Sequence, residues 1–383
     1  MELKTLFSPG KIGNVEIKNR IVRSATYEKR ATKYGEIAPE LIDFLCELAK
    51  GGTGLIITGM IAVHPSGTGS QYGAWIFNDS FISGQRELTK AVHDCSDAKI
   101  AAQIAHTGIQ STHPKYDPIG PSPMPINSYG RKPRGLTSQE IEEVIDWFVA
   151  ASRRVYESNF DSVQLHAAHG YLLSNFLSPF SNKREDEYGG TPQKRAKILI
   201  DIRKRIREEV DRKFPVIIKL QIRDFFSGGL ELDEGKIIAK VLVDAGFDAI
   251  EPSGGSVETI IGKQDNYPSL RLKTSEQENY FLPMVKELKP IMGDCPIILM
   301  GGIKNPLTVE QILQNGDADF IAMSRPLIHE PDLPNRWKSG DLSPAKCISC
   351  NSCYMTMVAG PTHCVVRKRR EKRLLREQSK LNK

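Results

Sequence analysis

Two imidazoles, a glycine and a phenol fall within six residues of this chain: His166, His169, Gly170 and Tyr171. They follow a short apolar run, Val163-Gln164-Leu165, that reads as a strand. Three hydrogen-bond donors placed where a strand ends suit an anion or a polarised carbonyl oxygen. A histidine pair at i and i+3 also suits a metal, and it suits plain core packing. No carboxylate or thiolate follows at a convincing local spacing, so the rest of the chain must decide.

Other residues could join them. Gln103 offers an amide with both donors and an acceptor for a planar heterocycle. Lys219 lies on an apolar strand, where it is either a snorkelling surface lysine or a cation beside an electron-rich group. Gly301-Gly302 permits close backbone approach, and Ser324-Arg325 brings a hydroxyl and a guanidinium. Cys347, Cys350, Cys353 and Cys364 cluster near the C-terminus, and clustered cysteines in a chain without a secretion signal favour metal over disulfides. Cys46, Cys95 and Cys295 are scattered and read as buried small hydrophobes.

The elements that position these groups alternate. Lys11 to Asn19, apolar residues around Gly13-Asn14, predicts a β-hairpin. Strands follow near 21, 54, 100, 161, 215, 247, 296 and 319. Between them, helical periodicity predicts helices over 39–50, 81–95, 137–158, 193–209, 233–245, 276–288 and 306–314. Thr137-Ser138-Gln139-Glu140 is a capping box. Residues 106–136 form a long Pro-, Gly- and Ser-rich loop, usually functional inside a compact domain. Eight short apolar strands alternating with amphipathic helices predict a (β/α)8 TIM barrel. A doubly wound open sheet is the alternative, but no Gly-x-Gly-x-x-Gly opens a strand–helix unit. The expected organisation is a barrel over 1–340 and a cysteine-containing extension with a basic tail over 341–383.

In such a barrel the site lies at the C-terminal strand ends. Those ends carry Ser24, Ala25, Thr26 and Tyr27 on strand one and Gly59 after strand two. Gln103 and His106 come from strand three, and His166, His169 and Tyr171 from strand four. Lys219 is on strand five, Ser253-Gly254-Gly255 ends strand six, Gly301-Gly302 ends strand seven and Ser324-Arg325 ends strand eight. Phosphate is often bound after strands seven and eight. A phosphate, a flat ring and a cationic neighbour together point to FMN, which would carry the hydride chemistry itself.

Size and charge are those of an ordinary globular chain: 383 residues, 40% hydrophobic, net charge +6. That charge sits in the tail from Arg367 to Lys383, where nine Lys/Arg face only Glu371 and Glu377. Such a run is usually solvated, so no nucleic-acid partner is expected. No run of eighteen apolar residues occurs, and Met1 to Phe7 shows no signal-peptide pattern. The expectation is a cytoplasmic protein that does not engage a membrane, with a homo-oligomer left open.

The chain resembles the Old Yellow Enzyme family of FMN-dependent NAD(P)H:flavin oxidoreductases. The resemblance is carried by His166-Ala167-Ala168-His169-Gly170-Tyr171-Leu172, Phe176-Leu177-Ser178-Pro179 and Asn182-Lys183-Arg184, with Asp186 to Gly190 following. Asn19 to Val22, Gln103 to His106 and Gly228 to Leu230 support it. It implies that His166 and His169 hydrogen-bond the carbonyl oxygen of a small α,β-unsaturated carbonyl substrate and that Tyr171 protonates its α-carbon. It further implies that Ser24, Ala25, Thr26, Gly59, Gln103 and Lys219 lie around the flavin, with Gly301, Gly302, Ser324 and Arg325 at its phosphate. Lys219 fills a position where the family commonly has Arg, keeping the charge but losing the planar fork. Tyr27 stands at the potential-tuning position, where it would also narrow the substrate pocket.

The cysteines resemble the iron–sulfur branch of that family, which includes dienoyl-CoA reductases. Cys347-x2-Cys350-x2-Cys353-x10-Cys364 is one residue shorter in each of its last two gaps than that branch typically shows. A [4Fe–4S] cluster, zinc and free thiols all stay open. The larger relatives carry C-terminal nucleotide-binding domains. In a chain of this length, electrons would reach a cluster from a separate electron-donor protein or bypass it.

Overall fold

The molecule is described by a computed structural model covering residues 2–69, 71–127, 129–256 and 268–381. Eight parallel strands form the centre: β1 (Ile21–Arg23), β2 (Leu55–Ile57), β3 (Lys99–Ala105), β4 (Ser162–Ala167), β5 (Val216–Arg223), β6 (Ala249–Gly254), β7 (Ile298–Met300) and β8 (Phe320–Met323). They pair in the order β6-β5-β4-β3-β2-β1-β8-β7. A parallel bridge between Ile250 and Ile297 joins the two ends and closes the ring. This is the (β/α)8 barrel expected from the sequence. The two-residue strand Ile61–Ala62 adds beside β3.

The strands form because each is a short apolar run buried on both faces, by barrel interior and by helices. Val22, Leu55, Ala101, Ile217, Ala249, Ile298 and Phe320 fill the interior. Ile12 and Ile17 of the N-terminal hairpin, Gly10–Ile12 paired antiparallel with Val15–Ile17, join that cluster. The hairpin therefore plugs one end of the barrel, leaving the C-terminal strand ends for the site.

The helices follow the sequence periodicity closely. Pro39–Lys50 and Pro306–Gln314 fall where predicted. Ser138–Glu157 starts at the Thr137/Glu140 capping box and buries Ile141, Val144, Ile145 and Phe148. The helix expected over 276–288 is shorter, Leu282–Leu288. Asn279 takes a left-handed φ of 55°, which breaks the helical path, and the preceding residues form only a single 3-10 turn. Ala196 divides the expected 193–209 helix into Pro192–Arg195 and Lys197–Glu209. The chain ends in helices Ser352–Ala359 and Val365–Leu381. Cys46, Cys95 and Cys295, expected in the core, are half-buried at its edge. Among the described residues, no helix is long and apolar enough to cross a membrane.

Candidate functional site

The parallel register sets neighbours side by side: Gln103 on β3 with Gln164 on β4, and Lys219 on β5 with His166 on one side and Glu251 on the other. Their side chains form one buried network. Gln103 Nε2 donates to Gln164 Oε1 at 2.8 Å, and Gln164 Nε2 donates to Glu251 Oε2 at 2.9 Å. Lys219 Nζ lies 2.7 Å from Glu251 Oε1 and 2.9 Å from Ser24 Oγ, which itself donates to Glu251 at 2.6 Å. Lys219 is 2% exposed, so it is not a snorkelling surface lysine. Glu251 was not singled out in the sequence. Its signal was a carboxylate inside an apolar strand, which burial makes costly unless a cation faces it.

Above this layer stand the two histidines and the tyrosine. The His166 ring lies 5.1 Å from that of His169 and 5.0 Å from that of Tyr171, both edge-on. His166 is 5% exposed, and its Nδ1 is buried without a hydrogen-bond partner among the described residues. A buried polar atom without a partner costs free energy unless something else satisfies it. His169 has a left-handed φ of 65°. Its N–H donates to Gln221 Oε1 at 2.9 Å, its carbonyl accepts from Gln110 Nε2 at 2.8 Å, and its Nε2 pairs with Ser253 Oγ at 2.7 Å. Gln221 is braced by Asp224, 2.7 Å away. These three supports, from β5, β6 and the loop after β3, hold a backbone conformation that a histidine rarely adopts. Nothing local in the sequence marks Gln110 or Gln221, which brace a residue more than fifty positions away, or Asp224, which acts through Gln221.

Burial sets the protonation states. It pushes His166 down to about 3, with Lys219 adding to the effect, and holds His169 well below the usual imidazole range. Both rings are therefore neutral at ordinary pH. Burial also pushes the Tyr171 phenol up, assisted by the nearby phenols of Tyr354, Tyr129 and Tyr27. Tyr27 thus stands near the site, with its carbonyl accepting from Thr362 Oγ1 at 2.7 Å.

The ends of β7 and β8 form a second cluster. Gly301 and Gly302 have φ of 99° and 78°, and a Cβ on Gly301 would come within 2.6 Å of Phe281 and 2.7 Å of Tyr280. Only glycine fits there. Both glycines line a cavity with Ser24, Ser324 and Arg325. Thr26 Oγ1 lies 2.7 Å from Ser324 Oγ, tying β1 to β8, and Ala25 packs against the barrel interior. Gly59, after β2, donates its N–H to Glu28 Oε1 at 2.9 Å, and Glu28 pairs with buried Arg23 at 3.0 Å.

Residues 5–342 match the NADH:flavin oxidoreductase / NADH oxidase family. The chain belongs to this family. It is 38% identical over 351 residues to an NADH oxidase of Thermoanaerobacter brockii, covering 90% of this chain and 52% of that protein. It is 34% identical to an NADPH dehydrogenase of a Geobacillus strain, covering 86% of this chain and 92% of the relative. Among solved structures, a 2-naphthoyl-CoA reductase bound to 2-naphthoyl-CoA superposes with a TM-score of 0.86 at 28% identity. That match covers 94% of this chain and 56% of the reductase. The chain spans about half the length of the first curated relatives it matches.

The family implies FMN and NAD(P)H. The donors present fit FMN: a glycine-lined cavity with Arg325 at its edge suits a phosphate, and the Gln103–Lys219 layer beside the unpartnered His166 Nδ1 suits a polar ring.

The four clustered cysteines are free and half-buried. They line one small cavity together with Arg325 and His329. His329 Nδ1 lies 3.1 Å from Cys364 Sγ. Among the described residues, no three His, Cys, Asp or Glu side chains are grouped to hold a single metal ion.

Proposed function

We propose that this chain is an FMN-dependent NAD(P)H oxidoreductase that reduces the C=C bond of small α,β-unsaturated carbonyl compounds. The observation that carries the reading is the meeting of His166, His169 and Tyr171 above the buried Lys219–Glu251 pair, with one imidazole nitrogen lacking a partner. When bound, FMN would supply the hydride, renewed from NAD(P)H. Gln103 and Lys219 would contact its ring, and Gly301, Gly302, Ser324 and Arg325 its phosphate.

The chain's own residues then have defined tasks. Hydride arriving at the β-carbon places negative charge on the carbonyl oxygen. His166 and His169, neutral in their buried setting, offer N–H donors to that oxygen. Tyr171 keeps its proton across the physiological range and gives it to the α-carbon. Hydride and proton together saturate the bond, and the phenolate recovers a proton from solvent. Replacing both histidines by alanine should abolish the long-wavelength charge-transfer band that a bound phenol gives with oxidised flavin. An unchanged band in that variant would contradict the oxyanion role.

The cysteine cavity supports a second reading, an iron–sulfur flavoprotein reductase of unsaturated acyl thioesters, or an electron-transfer reductase fed by a partner protein. Zinc, with Zn–S bonds of about 2.3 Å, draws its sulfurs close together. A [4Fe–4S] cluster spreads its thiolates wider, and it is the group this reading requires of the four cysteines that line the cavity. Anaerobic purification should then yield about four irons per chain and broad absorption beneath the flavin bands. Less than one iron per chain after cluster reconstitution would dismiss this reading.

A further inference from the structure

Arg325 stands between two cavities. One holds Gly301, Gly302, Ser324 and Ser349; the other holds the four cysteines. Its Nη1 donates to the carbonyl of Leu270 at 2.7 Å and to Oδ1 of Asn351 at 2.6 Å. Asn351 sits between Cys350 and Cys353, and its own amide donates to the carbonyl of Ser269 at 2.5 Å. The cysteine loop therefore touches the guanidinium directly.

That loop is held in a demanding shape. Ser349 and Asn351, on either side of Cys350, have left-handed φ of 54° and 59°. Non-glycine residues persist in that region only where their surroundings fix them. The anchors are at hand: Ala345 N–H donates to Lys304 O at 3.0 Å, and Lys346 N–H donates to Glu330 Oε2 at 2.7 Å. Both tie the segment to residues just beyond β7 and β8. A guanidinium has five N–H groups in a rigid fork. With Nη1 committed to Leu270 and Asn351, the fork's orientation is set, and among the described residues Nε and Nη2 have no other hydrogen-bond partner, which leaves them for an anion.

We propose that Asn351 is a positioning residue for Arg325, so that the cysteine-bearing loop sets the affinity for the flavin phosphate. The inference rests on the FMN reading above and extends it to a residue outside the barrel. It makes the order of the cysteine loop and the retention of flavin a single property.

The test compares FMN with riboflavin, which lacks the phosphate, by fluorescence titration of the deflavinated full-length chain. Asn351→Gly removes the side chain while tolerating the left-handed backbone. It should weaken FMN about tenfold, as loss of one hydrogen bond to a charged group does, and leave riboflavin within about twofold. Asn351→Asp, which keeps the acceptor, should restore most of the difference. Arg325→Ala should weaken FMN at least as much, and the Arg325→Ala/Asn351→Gly pair should be no weaker than Arg325→Ala alone. The proposal is overturned if Asn351→Gly leaves FMN affinity unchanged, weakens both flavins equally, or adds fully to Arg325→Ala. If Arg325→Ala leaves FMN affinity unchanged, the phosphate role of Arg325 itself falls. If the unaltered chain binds no FMN, the cofactor reading falls with it.

Discussion

Glu251 decides the charge balance of the site. Lys219 was legible as a cation on strand five, but a lone buried ammonium would be costly. Glu251 neutralises it at 2.7 Å, and through Gln164 the same carboxylate orients Gln103. Removing one partner of such a pair leaves the other charged and unsatisfied. Glu251→Leu should therefore lower stability by about 3–5 kcal/mol in urea unfolding. Adding Lys219→Met should recover much of that loss. A Glu251→Leu variant as stable as the unaltered chain would remove the pair from the account. His166, His169, Tyr171 and Lys219 were readable from residue type and place along a strand. Glu251 showed only as a carboxylate inside an apolar strand, and Gln221 and Asp224 not at all, because their importance comes from the contacts that folding brings to them.

The elements carry a second lesson, best seen in the loop after β3. It was readable as long and functional, but its anchoring was not. Gly108 N–H donates to His106 Nδ1 at 3.0 Å, Ser66 Oγ lies 2.8 Å from His106 Nε2, and His64 Nδ1 lies 2.7 Å from that same hydroxyl. The His64 ring stacks on Trp147 with centroids 3.9 Å apart. The Leu172 N–H donates to the His106 carbonyl at 2.9 Å, so the chain of contacts also fixes the residue after Tyr171. Burial pushes His64 down to about 4 and His106, like His166, to about 3. As pH drops below about 6.5, the unfolded chain takes up protons on these rings that the folded chain refuses. Stability conferred by the neutral rings is complete above that value and declines as pH falls toward 3. By pH 4 the loss should reach roughly 3 kcal/mol for each fully buried ring. Melting temperatures measured from pH 7.5 to 4.5 should fall steadily. A flat profile would mean that these histidines are charged or solvated in the native state.

For the whole molecule, strand count and strand order followed from the alternation of apolar runs and amphipathic helices. The barrel end that bears the site followed from the fold. The hairpin plug at the opposite end was readable as a hairpin but not as a plug, since only closure of the ring brings Ile12 and Ile17 beneath Phe320 and Ile217. The C-terminal extension was legible through its cysteines and its basic tail. Its contact with Arg325 depends on two left-handed residues that carry no glycine signature.

The central claim is that His166, His169 and Tyr171 form a site for protonating and polarising an activated alkene beside the flavin. Anaerobic stopped-flow spectroscopy of the Tyr171→Phe variant tests it most directly, because flavin reduction and flavin reoxidation are read separately. Reduction by NAD(P)H should proceed at the unaltered rate, while reoxidation by a cyclic enone should slow roughly 100-fold or more, as loss of a general acid does. Reoxidation at the unaltered rate with several enones would contradict the account.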